Sequence, residues 1–215
     1  IGLGATPAAL LSLPLMRYAR DYPGGMKIRI SRALQDLQLL ALRERQLDAL
    51  VMDLRSVPHS NGDLVVQKLC EMPTGILCRA DHPLCRVPAP SLADLKAYPA
   101  AGTGVSASVA RHAVERFGTT AHPDSFLTLG SDDVVTMLQL TCESDVLFVG
   151  IVAPALPLLQ SGALVQLPFS MAGLESHIAW VQRAARAPNP VLDGIRQRVQ
   201  GWLDDATRSA GKWGT

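Results

Sequence analysis

Hydrophobic and polar positions in the first 53 residues switch between the period of a strand and that of a helix. An apolar run over residues 1–4 breaks into Thr6-Pro7, which predicts a buried strand turning into a helix, with Thr6 as N-cap and Pro7 as the first helical residue. Apolar residues at helical spacing predict two helices. The first covers residues 8–21, with Leu10, Leu11, Leu13 and Tyr18 facing inward; the second covers 36–46, with Leu37, Leu40 and Leu47 at helical spacing. Strands are predicted over residues 27–32 and 47–53, so the order is β-α-β-α-β, as in a parallel sheet.

The same order recurs in the middle of the chain. Strands over residues 64–70 and 74–79 and a short helix over 91–97 are followed by a strand over 100–103, a helix over 105–117, a strand over 125–129, a helix over 132–142 and a strand over 145–150. Four pairs of landmarks lie 97 residues apart: Thr6 and Thr103, Ile30 and Leu127, Asp36 and Asp133, Asp48 and Asp145. This constant offset favours two copies of one unit, although two ordinary α/β units of equal length remain the alternative.

Two α/β lobes are therefore expected. The tail adds a helix over residues 155–160, strands over 164–169 and 176–182, and an amphipathic helix over 191–204. We predict one lobe from residues 1–72 and 170–210 and a second from 73–169, with two crossings between them and a ligand cleft where they meet.

Composition excludes several classes of protein. Of 215 residues, 48% are hydrophobic and 5% aromatic, and the formal net charge is +1. A net charge this close to zero gives no indication of the concentrated basic face that nucleic-acid binding needs. Residues 1–16 carry no charge but contain Pro7 and Pro14, are too short to span a bilayer, and lack the basic start of a signal peptide. Because the chain begins inside a strand pattern, we expect a further segment upstream.

Cysteine and histidine spacing offers no metal, cofactor or catalytic site. No Cys-x-x-Cys pair occurs, so we expect reduced thiols in a cytoplasmic protein, although Cys78 and Cys85 are close enough in sequence to approach each other. His82 lies in Asp-His-Pro-Leu, where a structural turn is the expected role. The other histidines are scattered: His59, His112, His122 and His177. Residues 104–108 fail the nucleophile-elbow pattern because Ser108 replaces its second glycine.

An ordered set of short motifs resembles one known domain across nearly the whole chain. The motifs are IGLGAT at residues 1–6, LPLMRY at 13–18, DYP at 21–23, QLDAL at 46–50, RADHPL at 79–84, SLADL at 91–95 and YP at 98–99. Together they resemble the effector-binding domain of LysR-type transcriptional regulators. RADHPL is the most specific of them.

The resemblance implies a periplasmic-binding-protein-like fold of type 2, with two Rossmann-like lobes joined by two crossover strands. It also implies a small effector in the cleft, self-association to a homodimer or homotetramer, and DNA binding through an N-terminal winged helix-turn-helix that this chain lacks. The chain would sense and oligomerise without touching DNA or membrane. We expect no enzyme activity.

Candidate effector contacts lie at strand–helix turns. Thr6, with Ala5 and Pro7, matches the family's first turn, where hydroxyl and N–H groups contact effector; a plain N-cap is the alternative. Arg32, at the carboxyl end of a strand, suits a carboxylate, and Gln35 a hydrogen bond from its helix start; an exposed surface role is the alternative for each. In the second lobe the candidates are Thr103 with Gly104, Gly130 with Ser131 (a cap first and a contact second), and Gly150.

The chain departs from the family's usual pattern in three places. Glu143-Ser144-Asp145 replaces a glycine-rich turn, Val149-Gly150 stands where the strand usually ends in proline, and Gln35 replaces a small hydroxyl residue. These departures leave the effector undefined, with an organic acid or aromatic metabolite expected. A transporter's solute-binding protein and an enzyme on the same fold are the alternatives.

Overall fold

A computed structural model describes residues 1–57, 62–185 and 187–213. His59 lies outside the described residues, as does most of the polar loop expected around it. The strands are β1 (Gly2–Leu3), β2 (Leu50–Asp53), β3 (Leu64–Met72), β4 (Thr74–Arg79), β5 (Ala100–Gly102), β6 (Leu129–Gly130), β7 (Leu147–Ile151), β8 (Leu164–Gln166) and β9 (Ser176–Arg183). The α-helices are α1 (Ala5–Arg20), α2 (Gln35–Arg43), α3 (Leu92–Lys96), α4 (Ala107–Phe117), α5 (Pro123–Phe126), α6 (Val134–Glu143), α7 (Leu156–Gln160) and α8 (Pro190–Ala210).

The chain divides into two compact units. Unit 1 comprises Ile1–Glu71 and His177–Thr207, and unit 2 comprises Met72–Ser176 with residues 208–213. Each unit contains its own sheet, so each has a hydrophobic core of its own.

Unit 1 is built on the sheet β1-β2-β9-β3. β1 is parallel to β2, with Leu3 opposite Val51, and β9 is antiparallel to β2, with Trp180 opposite Val51. The core cluster consists of Leu39, Leu42, Leu47, Leu50, Met52, Leu64 and Val181. Its aliphatic character follows from the low aromatic content of the chain.

The two predicted helices α1 and α2 of unit 1 form, but the prediction of which residues they bury was partly wrong. In α1, Leu11 and Leu15 are fully buried while Leu13 is 56% exposed. In α2 the buried residues are Gln38, Leu39 and Leu42, whereas the predicted apolar row of Leu37 and Leu40 faces solvent. In α2 the buried face is set by a polar side chain. Gln38 donates to the carbonyls of Leu3 and Ser31, and these hydrogen bonds orient the helix against the sheet.

The strand predicted over residues 27–32 reduces to a single bridge. Ser31 pairs in parallel with Gly2, donating to the Ile1 carbonyl at 2.9 Å and accepting from the Leu3 N–H at 3.0 Å. The predicted alternation is present over four residues, because Ile28 and Ile30 are half-buried while Lys27 and Arg29 are exposed. A longer ladder does not form because its partner, β1, has only two residues.

Unit 2 is built on the sheet β6-β5-β7-β4-β8. β5 is parallel to both β6 and β7, and β4 is antiparallel to β7 and β8. The core cluster consists of Ile76, Cys78, Leu84, Leu95, Ala100, Leu147 and Leu167. α3 begins with the predicted cap: the Ser91 hydroxyl accepts from the Asp94 N–H, and the Asp94 carboxylate accepts from the Ser91 N–H.

The strand predicted over residues 125–129 was wrong. A short helix, α5, occupies 123–126 because Pro123 stands at its first position and His122 caps it, its ring nitrogen Nδ1 accepting from the Asp124 N–H. The strand β6 follows only at Leu129–Gly130.

No helix in the described parts of the chain is long and apolar enough to cross a membrane.

Candidate functional site

The turn from β1 into α1 is made by the backbone of Gly4. The Gly4 N–H donates to the Val51 carbonyl at 2.9 Å, and the Gly4 carbonyl accepts from the Ala8 N–H at 2.8 Å. Gly4 is therefore the N-cap, and the assignment of Thr6 as N-cap and Pro7 as first helical residue was wrong: Thr6 and Pro7 are the second and third residues of the helix. Because the Gly4 N–H is bonded to β2, the helix begins directly after Gly4, and Thr6 already lies inside it.

This helix start lacks the usual compensation for its dipole. No side chain caps α1, and its first turn contains no acidic residue. Thr6, the second residue of the helix, is only 9% exposed. Free N–H groups and the positive end of a 16-residue helix dipole make this turn suited to an anion.

The second candidate turn of unit 1 is the start of α2, which follows the Ser31 bridge in the chain. Leu34 is its N-cap, and Gln35, its first residue, donates from Nε2 to the Ser56 hydroxyl at 2.9 Å. Arg32 is exposed. The Gln35 side-chain amide is therefore held by a residue of unit 1.

Gln38 is a residue that sequence reasoning missed. It is 1% exposed, and its Nε2 joins the Leu3 carbonyl at 3.0 Å to the Ser31 carbonyl at 3.3 Å. Its Oε1 is buried without a partner among the described residues. The available signal was a glutamine next to Leu39 and four residues before Leu42, a polar residue within the buried row of α2.

In unit 2 a groove of about 520 Å³ opens beside β5 and β6. It brings together three predicted contacts, Thr103, Gly104 and Gly130. Thr103 does not occupy the position that the 97-residue offset gave it, because α4 begins at Ala107 and is capped by Ser106. Residues 103–105 instead form an open connection whose backbone lines the groove.

Ser131 lies next to this groove but is not the cap of α6. Asp133 is the N-cap, its carboxylate accepting from the Thr136 N–H. The Ser131 hydroxyl accepts from the Asp133 N–H at 3.0 Å, and the Ser131 N–H donates to the Gly102 carbonyl at 3.4 Å. Since a carboxylate already occupies the start of α6, this helix end is less suited to an anion than that of α1.

Gly150 lies within β7, not at its end. It pairs with Gly75 of β4, and the strand continues to Ile151. A Cβ at Gly150 would approach the Phe148 ring to 2.9 Å. The glycine therefore makes room for this ring, and only its backbone is available to a ligand.

His82 is confirmed as a structural residue of its turn. It is 1% exposed; its Nδ1 accepts from the Leu84 N–H at 3.1 Å, and its Nε2 lies 3.3 Å from the Asp145 carbonyl. Its ring meets that of Tyr98 edge-on at 4.5 Å. Burial is the main cause that lowers its pKa, so the ring is held neutral, with the proton on Nε2.

No group of three or more His, Cys, Asp or Glu side chains able to hold a metal ion occurs in the described segments.

Comparison with known families decides what kind of domain this is. The family model of the LysR substrate binding domain matches residues 1–204, nearly the whole chain. The chain belongs to the LysR substrate binding domain family. Three predictions are confirmed: the resemblance drawn from the short motifs, the periplasmic-binding-protein-like fold, and the effector-binding domain of a LysR-type transcriptional regulator.

A relative of this LysR domain is the SDS degradation transcriptional activation protein of Pseudomonas sp. (strain ATCC 19151). It is 31% identical over 216 residues, which cover 97% of this chain and 67% of that protein. The relative is a transcriptional regulator by name.

Solved LysR regulatory domains share the fold. The regulatory domain of MetR from N. meningitidis superposes with a TM-score of 0.68 at 14% identity, covering 96% of this chain and 93% of that one. The AmpR effector binding domain from Citrobacter freundii gives a TM-score of 0.67 at 20% identity, covering 95% and 96%. At these identities the likeness concerns the fold alone.

Proposed function

We propose that this LysR domain binds a small organic anion, held first of all by the start of α1. The proposed contacts in unit 1 are Ala5, Thr6, Pro7, Arg32 and Gln35. Those in unit 2 are Thr103, Gly104, Gly130, Ser131 and Gly150. In the full-length regulator, which we expect to act in the cytoplasm, effector binding would shift a pre-existing equilibrium between arrangements of the subunits, and a separate N-terminal domain would read DNA.

One observation carries the proposal. α1 begins with no capping side chain and no acidic residue in its first turn, and the buried Thr6 lies in that turn. A bound carboxylate or sulfate would accept from the Thr6 hydroxyl and the first N–H groups of the helix and complement the helix dipole. The basic side chain of Arg32, near the start of α2, adds attraction for the same charge.

Unit 2 supports the proposal because it contains a groove with room for a ligand. The groove beside β5 and β6 exposes the backbone around Thr103-Gly104 and Gly130. At Gly104 and Gly130 nothing lies within 4 Å of an added Cβ. These two glycines leave their peptide groups open to a ligand in this groove.

The class of anion is best tested with a mixed panel. An aliphatic dicarboxylate, an aromatic carboxylate and a short-chain alkyl sulfate differ in body but share the charged group. The alkyl sulfate is included because a relative of the domain is named for the activation of SDS degradation.

We expect Thr6→Val to weaken binding of the preferred panel member by about tenfold or more, because a hydrogen bond to a charged group contributes about 1.5–3 kcal/mol. Valine keeps the shape of the buried threonine, so the fold is retained. Isothermal titration calorimetry measures the change. Thr6→Ser, which keeps the hydroxyl, is the matched control and should bind within a few-fold of the wild type.

Equal affinities for wild type and Thr6→Val would contradict the contact with Thr6. Absence of binding to every panel member by all three proteins would contradict the proposed class of effector.

We further propose that self-association buries the exposed apolar rows of unit 1. Leu13 and Met16 on α1 are each 56% exposed, and on α2 Leu37 and Leu40 are 55% and 49% exposed. Exposed leucines and methionines in helical rows are typical of protein interfaces. The family resemblance supports a second copy of the chain as the partner.

Sedimentation equilibrium tests this interface. We expect the wild-type chain to form dimers, and at least one of two double variants, Leu13→Glu/Met16→Glu or Leu37→Glu/Leu40→Glu, to shift the mass toward the monomer. The affected variant should keep its circular dichroism spectrum, since the substituted side chains lie outside the core. Two dimeric variants, or a monomeric wild type, would contradict the proposal.

A further inference from the structure

We propose that Cys78 and Cys85 form an oxidisable dithiol: a modification site at which a peroxide converts the two thiols into an intramolecular disulfide. The site lies within unit 2, outside the residues proposed to contact effector. It is therefore independent of the proposed function.

The two sulfur atoms are already neighbours. Cys78 Sγ and Cys85 Sγ are 3.7 Å apart, and a disulfide bond is about 2.05 Å long, so the sulfurs must approach by less than 2 Å. Cys78 lies near the end of β4, and Cys85 lies in the single turn of 3₁₀-helix Pro83–Arg86 that follows. Only the short segment around His82 separates them, and Cys85, the exposed member of the pair, is the one that must move.

The two thiols differ in access, which gives them different roles. Cys85 is exposed, whereas Cys78 is fully buried in the core of unit 2. Burial raises the pKa of the Cys78 thiol well above its ordinary value, so Cys78 is not the residue that reacts first with an oxidant from solution. Cys85 is the accessible thiol, and Cys78 is the resolving thiol held beside it.

The chemistry balances with a peroxide as the two-electron oxidant. The Cys85 thiolate attacks one peroxide oxygen; an S–O bond forms, the O–O bond breaks, and water leaves after proton transfer, giving a sulfenic acid on Cys85. Cys78 Sγ then attacks the Cys85 sulfur. The S–S bond forms, the S–O bond breaks, and hydroxide leaves with the Cys78 thiol proton as a second water.

The position of the pair links it to a polar cluster of unit 2. Arg79, next to Cys78, forms ion pairs with Asp81 and with Asp145, the latter at 2.9 Å, while the Cys85 thiol lies 3.7 Å from the Arg79 carbonyl. His82, between the cysteines, reaches the Asp145 carbonyl. Drawing Cys85 toward β4 therefore moves the turn that follows β4, and this turn contacts Asp145 through His82.

Peptide mapping tests the proposal on the wild-type chain. The reduced protein is treated with hydrogen peroxide, denatured in guanidinium chloride containing N-ethylmaleimide so that buried thiols are also blocked, and digested with trypsin without reduction. Because trypsin cleaves after Lys68, Arg79 and Arg86, Cys78 and Cys85 fall into separate peptides, 69–79 and 80–86. We expect a linked pair of these peptides, two hydrogen masses below their sum, which dithiothreitol separates.

Two variants make the assignment specific. Peptide 69–79 also contains Cys70, so Cys70→Ala is the matched control and should leave the link in place. Cys85→Ser should abolish the link and leave Cys78 blocked by maleimide. Unlinked peptides with Cys85 oxidised beyond the sulfenic acid, a link lost in Cys70→Ala, or a link carried by covalent dimers on a non-reducing gel would each overturn the proposal.

Discussion

Replacing His82 with alanine is expected to lower the free energy of unfolding by about 3 kcal/mol. The variant loses two hydrogen bonds of a buried ring, each contributing about 0.5–1.5 kcal/mol, and an aromatic contact with Tyr98 of about 0.5–1.5 kcal/mol. Urea denaturation followed by circular dichroism measures the change. The expected loss is large because the Leu84 N–H is left in the core without its acceptor.

The chain contains a matched control in His122. This residue also precedes a proline and also accepts from the N–H two residues on, that of Asp124, but its side chain is 42% exposed. His122→Ala should therefore cost only a cap, about 1 kcal/mol. Equal losses for the two variants would contradict the view that burial, and not the cap alone, makes His82 structural.

The same residue predicts a pH dependence. Because burial lowers the pKa of His82 in the folded chain, the unfolded chain binds a proton near pH 6.5 that the folded chain does not. Stability should therefore be highest above about pH 6.5, fall as the pH drops below that value, and stop falling below the folded pKa. The contribution of His82 to the pH dependence of the free energy of unfolding should be absent in His82→Ala and present in His122→Ala.

Substituting Gly102 with alanine is expected to destabilise unit 2 by about 1–3 kcal/mol through overpacking. The new Cβ would lie 2.9 Å from the Val149 carbonyl oxygen and 3.0 Å from a methyl carbon of Leu127. That carbonyl belongs to β7, which is paired on both sides, by β5 and β4. The backbone must therefore shift, and the groove beside β5 shifts with it.

Gly104→Ala is the control for stability, since nothing lies within 4 Å of its added Cβ. Thermal denaturation should separate the two variants, with Gly104→Ala close to the wild type and Gly102→Ala melting several degrees lower. An unchanged melting temperature for Gly102→Ala would show that β5 can move away from β7 at no cost.

Several elements could be predicted from local signals because their determinants lie within a few residues. The strand over 74–79 agrees with β4, and Ser91 caps α3 through a box closed by Asp94, three residues on. Likewise, the His82 turn depends on neighbours, Pro83 and the Leu84 N–H. The ordered motifs were sufficient to predict the family.

The site was less predictable because it depends on partners distant in sequence. Helical periodicity shows which residues share a face of α2, but not that Gln38 turns that helix toward the carbonyls of Leu3 and Ser31. Gly4, and not Thr6, is the cap because Val51 pairs with it across the sheet. At Ser131 the prediction failed because Asp133 supplies the carboxylate that caps α6.

By itself, the sequence determined the α/β class, the family and most helices, since apolar periodicity, caps and short motifs are local. Only the tertiary structure decided that α1 starts without a capping side chain, that Thr6 is buried in its first turn, and that two thiols meet at 3.7 Å. The physical reason is the same in each case. Which groups meet depends on how strands pair and which helix face the sheet buries.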